Sequence, residues 1–166
     1  MIERELAAHE AWLNDPSTGR PLRLDGVDLA GVDLSHANLS QAELSNADLT
    51  EARLAGGTLF EATFTNCRFD RATLAGADLA GARLFDCHLV SADLSDAVLI
   101  KAELWQCDLT GACMKGARAQ RITIGRGSFA RVDVTGADLS HAVIRSADLT
   151  GTDLTPATTT GIYVEQ

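Results

Sequence analysis

Aromatic residues make up only 5% of this 166-residue chain, and proline occurs three times. No apolar run approaches the roughly 20 residues that a membrane-spanning helix needs. Glu3, Glu5 and Glu10 interrupt the start of the chain and do not suit a secretory leader, so the cytoplasm is the expected location. The four cysteines include no Cys-x-x-Cys pair, and the four histidines (His9, His36, His88, His141) are far apart. There is no glycine-rich phosphate loop between a strand and a helix, and no nucleophile elbow. No enzyme, cofactor or metal is therefore expected. Bases are scarce too. Fourteen Lys and Arg stand against 23 Asp and Glu, a net charge of −9, which argues against direct binding to nucleic acid.

What the chain has is a period of five. Every fifth residue from Leu24 to Leu154 is apolar, 27 units without an insertion. Two positions before each centre stands alanine in 16 units and cysteine in three. A strict five walks around a helix by about 140° per step and soon covers every face. On one straight strand it would put successive centres on opposite faces. The pattern suits a coil in which each unit is one straight edge and the chain turns at every corner. The centre and the residue two before it then point inward. The other three positions point outward. The second residue after the centre is glycine in nine units, as at Gly76 and Gly116, and elsewhere often Asn, Asp or His. Glycine and Asn tolerate the positive φ that a tight turn requires.

The A-[DN]-L-x-x units, as in Ala37-Asn38-Leu39 and Ala47-Asp48-Leu49, resemble those of the pentapeptide-repeat family, over residues 22–154 at least. The resemblance implies an all-β fold, a right-handed quadrilateral parallel β-helix with four units per coil. The chain would make nearly seven coils, a rod roughly 32 Å long at the spacing of parallel strands. Residues 1–21 are expected to form a capping helix and a turn-rich linker, with residues 22–166 as the β-helix. In the first segment Ile2, Leu6 and Leu13 share a helical face beside Trp12, and Asn14-Asp15-Pro16 ends the helix.

Folded by twenties, the sequence sorts its surface into columns. Cys67, Cys87 and Cys107 fall in one inward column and read as small core residues. Cys113 precedes a centre and is expected outside. Phe85 and Trp105 follow centres in adjacent coils, with Val90 and Ile100 on neighbouring faces and Phe60 above Ile100 with Ala80 between them. These five are the candidate partner surface. Asp28, Asp48, Asp108 and Asp148 share one outward line; Asp33, Asp93, Asp133 and Asp153 share another. Residues 115–131 hold five bases and no acid. With Lys101 they form a candidate basic patch: Lys101, Lys115, Arg118, Arg121, Arg126 and Arg131.

Two functions follow. Carboxylates spaced along a rod imitate duplex phosphates, and members of the family that inhibit or protect DNA gyrase are duplex mimics. The resemblance thus implies a protein partner, DNA gyrase or topoisomerase IV, modulated or protected against inhibitors and toxins. It also implies a homodimer joined through the C-terminal coil. The alternative is a generic protein-binding or structural scaffold that uses the aromatic surface. Magnitude weighs on the first reading. A duplex carries one charge per about 1.7 Å, or about 19 over this length.

Overall fold

The computed structural model describes residues 2–165. One helix, α1 (Ile2–Asn14), precedes eight three-residue strands, β1 (Arg23–Asp25), β2 (Glu43–Ser45), β3 (Thr63–Thr65), β4 (Arg83–Phe85), β5 (Glu103–Trp105), β6 (Thr123–Gly125), β7 (Val143–Arg145) and β8 (Tyr163–Glu165). The strands pair in parallel and in chain order, each residue opposite the one 20 further on, as in Leu24–Leu44 and Leu44–Phe64. The same 20-residue step links single bridges on the other edges, such as Asp28–Asp48, Asp33–Arg53 and Asn38–Thr58. The chain is a square coil of about seven turns, as the spacing of five requires. Its four faces are numbered from the β1–β8 edge onward, each taken with the corner that follows it.

The repeated residue types each answer a local need. Centres such as Leu49, Leu54 and Leu59 are fully buried, and so are the small residues beside them, Ala52 and Ala62. A larger residue beside every centre would overfill this narrow core. Phe64 and Phe69 meet edge to face inside it, with centroids 5.1 Å apart. At three corners the inward residue's N–H closes the turn on the preceding centre's carbonyl, as Ala37 does on Leu34, at 3.0 Å. At the corner after the strands, thiols serve that carbonyl from the coil above. Cys67 Sγ donates to Leu44 O (3.4 Å), Cys87 to Phe64 O (3.5 Å) and Cys107 to Leu84 O (3.4 Å). The cysteine column is thus core filler with a donor attached. Cys113, expected outside, is half-buried.

From position 26 to position 151 every fifth residue has a positive φ. Nine are glycine, and 17 are not. Gly and Asn are the residues expected there, but Glu51, Arg71, Lys101 and Gln106 adopt the same left-handed backbone. Hydrogen bonds between coils hold them in it: Glu51 N–H donates to Asp70 O (2.9 Å) and Lys101 N–H to Gln120 O (3.0 Å). The local cost is about 1 kcal/mol per residue, and the stacked core offsets it.

At the N-terminal end α1 lies across the first coil. Ile2 and Leu6 pack on the core, while Leu13, expected on the same stripe, is half-buried and outside that cluster. The one fully buried helix residue is His9. The linker turns back at Gly19 (φ +63°), where any Cβ would overlap the Ala8 carbonyl. At the other end the inward residues of the last coil, such as Leu154 and Ile162, are only half-buried, and Tyr163 and Val164 are 50% and 40% exposed.

Candidate functional site

The outward residue before each centre is where most of the carboxylates stand, and the fold gives it a structural task. In all eight aspartates of the two acidic lines, Oδ1 accepts the backbone N–H two residues on, at 2.9–3.1 Å. Asn38 Oδ1 does the same for Ser40 at 3.1 Å. This Asx turn explains why Asp and Asn alternate freely at that position. It also holds each carboxylate against its own turn, and the second oxygen faces outward, where Arg53 takes that of Asp33 and Lys115 that of Asp133.

The first line, on face two, reads Asp28, Asp48, Arg68, His88, Asp108, Ser128, Asp148. The second, on face three, reads Asp33, Arg53, Thr73, Asp93, Cys113, Asp133 in bridged register, and Asp153 continues it one coil further. Bases answer part of this charge. Arg53 grips Asp33 (2.9 Å), Arg71 grips Glu51 (2.8 Å) and Lys115 holds Asp133 (3.2 Å). Arg53 beside Asp33, helped by the Ser35 N–H, holds that carboxyl far below its usual range. The Thr155 N–H lowers Asp153 in the same way. With their corners, face two bears six acids and three bases, and face three bears five acids and two bases. These faces adjoin, so the carboxylates gather along one edge of the rod, interrupted by Arg53, Arg68 and His88 in its middle coils. Face one carries five acids and four bases, and face four carries three of each.

The basic run does not form a patch. Lys115 lies on face three, Arg118 on face four, and Arg121, Arg126 and Arg131 at three successive corners, so the five bases belt a single coil. Only Lys101, Arg121 and His141 stack in one column, where Lys101 N–H reaches Gln120 O and Arg121 N–H reaches Ser140 O.

The apolar candidates are also dispersed. Phe85 and Trp105 are register partners on face one. The Trp105 indole folds over Gly125 in the next coil, occupying the place of a side chain there, so it is half-buried. Val90 lies on face two and Ile100 on face four, both half-buried, and Phe60 alone is 40% exposed. The sequence signal for the Trp105 arrangement is a glycine 20 residues after a large outward side chain. The same pairing sets His36 against Gly56 and His141 against Gly161.

The concavities beside these columns are shallow and mixed in charge. One of them, about 550 Å³, runs along face one next to α1 and includes Trp12, Arg23, Glu43, Arg83 and Glu103. Within it Arg23 meets Glu43 at 3.1 Å, and Arg83 Nη2 donates to Thr63 Oγ1 at 3.1 Å. No group of His, Cys, Asp and Glu among the described residues has the arrangement of a metal site, and no described helix is long and apolar enough to cross a membrane.

Comparison with known proteins agrees with the geometry. Two structures of the plasmid-mediated fluoroquinolone resistance protein QnrB1, both trypsin-treated, superpose with TM-scores of 0.57 and 0.58 at 22% and 21% identity. In each case 87% of this chain and 90% of the other are covered. Likeness at that identity concerns the fold. A pentapeptide-repeat protein from the cyanobacterium Cyanothece 51142 aligns at 18% identity over 86% of this chain and 80% of its own, with a TM-score of 0.43. No curated protein sequence matches. The profile described as pentapeptide repeats matches in eight copies, over residues 23–59, 58–89, 87–121 and 128–157. Square coil, leucine centres and repeat profile coincide over most of the sequence, and the chain belongs to the pentapeptide-repeat family.

Proposed function

We propose that the rod is a non-catalytic binding protein whose acidic edge, faces two and three, docks on the DNA-binding surface of a type II topoisomerase, DNA gyrase in the first instance. On this reading it modulates the enzyme or protects it from inhibitors and toxins. One observation carries the proposal: eight aspartates on two adjoining faces are each held against their own turn. Charges fixed before binding lose little entropy on docking, which favours complementarity to a rigid cationic groove. Support of a coarser kind comes from the fold shared with a fluoroquinolone resistance protein.

The edge is sparser than a duplex, with a net charge of about six against the roughly 19 of an equal length of DNA. It therefore acts as a partial competitor. A second copy joined at the C-terminal end, where Tyr163 and Val164 are exposed, would double the length of the edge. The test is gyrase supercoiling with and without a fluoroquinolone. The reading expects either inhibition of supercoiling or relief of the drug block, and Asp108→Lys with Asp148→Lys should abolish the effect. If the wild-type chain has no effect in either assay, the rod is better assigned to the scaffold reading. Under that reading Phe60, the most exposed of the apolar candidates, is the first contact to remove.

A further inference from the structure

His9 is the buried polar residue that the repeat pattern does not explain. It is fully buried in the helix that closes the first coil, with its ring stacked on Trp12 at 5.7 Å. Nδ1 accepts the N–H of Leu22, the first inward residue of the β-helix, at 2.9 Å. The proton of the neutral ring therefore sits on Nε2, which has no hydrogen-bond partner; the Ser40 backbone faces the ring without closing a bond. This one bond ties the cap to the main chain of the solenoid at its core.

We propose that His9 is an acid-sensitive latch: the neutral imidazole holds α1 on the first coil, and protonation in mild acid releases it. The proton taken from solvent can enter only at Nδ1, where it points at the Leu22 N–H. Acceptor becomes donor, two N–H groups oppose each other, and a charge is left buried among apolar neighbours.

The surrounding charges do not relieve it. On α1, Glu5 is bound to Arg20 of the linker at 2.8 Å, and Glu10 lines a cleft with His36. Glu3, Arg4 and Asp15 are exposed on α1 or just beyond it. On the coils, Arg23 is bound to Glu43 at 3.1 Å. Burial pushes the His9 pKa below its ordinary value of 6.5, and the Ser40 backbone opposes this in part. A lowered folded-state value means that the latch is fully effective above pH 6.5 and weakens as pH falls from there through the folded value. Release uncovers Leu22, Leu29 and the free end of the parallel sheet, a template for end-to-end association.

Hydrogen exchange on the full chain, corrected for intrinsic rates, tests this at about pH 7.5 and about pH 5. The latch predicts at least roughly tenfold loss of protection across α1 and at Leu22 on acidification, with protection retained at Leu94 and Leu104. His9→Asn keeps an acceptor at the δ position that does not titrate, and should make α1 protection independent of pH over this range. Equal loss in His9→Asn would overturn the proposal. So would an NMR titration in which His9 of the unmodified chain takes up its proton while α1 stays protected. The readout involves no topoisomerase, so its failure leaves the proposed function untouched.

Discussion

A single glycine shows how tightly each residue is constrained. Gly127 occupies an inward position where alanine is the usual residue, and it lies in the column of Cys67, Cys87 and Cys107. A Cβ there would overlap the Cys107 backbone carbonyl, which cannot move aside as a side chain can. Gly127→Ala, a change toward the repeat's own commonest residue, is expected to cost about 2 kcal/mol in chemical unfolding. An unchanged midpoint would show that the coil yields there. The turn aspartates act at the same scale. Hydrogen bonds hold Asp25, Asp33 and Asp153 below the ordinary carboxylate range, from Asn46, Arg53 and the Thr155 N–H respectively. Their contribution to stability is present above the unfolded value of about 4 and is lost as pH falls through the lower folded values. Thermal unfolding followed down the pH scale should show the midpoint falling below about pH 4. Asp153→Asn should resist the loss at its own turn, because the amide oxygen still accepts the Thr155 N–H. Asp93→Ala should lose about 1 kcal/mol at neutral pH, because the Ser95 N–H is left without its acceptor.

At the scale of the element, the unit is an edge plus a corner, and corners are where the chain stores strain. Gly76 has φ +64° and open space around its missing Cβ, so Gly76→Ala isolates the backbone cost, about 1 kcal/mol. Gln106, at φ +57°, is the converse. Gln106→Gly should recover up to about the same amount, less what the flexible unfolded chain takes back. Opposite shifts in the unfolding midpoint, the gain at Gln106 being the smaller, are the expected result, and matching losses in both variants would refute the strain. Edges were legible in the sequence because the apolar period of five is unbroken and inward burial tolerates few residue types. Corners were legible only at the glycines. Their conformation is imposed by bonds to the neighbouring coil 20 residues away, so Glu51 and Lys101 carry no local mark of it. The helix was legible in extent but not in its key contact, since Ile2, Leu6 and His9 form the inner stripe and Leu13 does not join the core.

At the scale of the whole molecule, charge and apolar surface are distributed differently. The acidic lines found by folding the sequence in twenties do stand in register, because that step is set by the covalent repeat. The basic run became a belt, because nearness along the chain places residues around the rod, not along it, while the apolar candidates keep the neighbouring faces that the twenties assign, with Phe85 and Trp105 in register. Trp105→Ala should therefore leave partner binding nearly unchanged if the acidic edge is the contact. The central claim is that this edge competes with duplex DNA for a type II topoisomerase. Displacement of a fluorescent duplex from DNA gyrase, followed by anisotropy as this protein is added, tests it most directly. The account predicts displacement that weakens steeply with added salt and is lost in the Asp108→Lys, Asp148→Lys variant. A duplex that stays bound at large excess of the protein and low salt would contradict it.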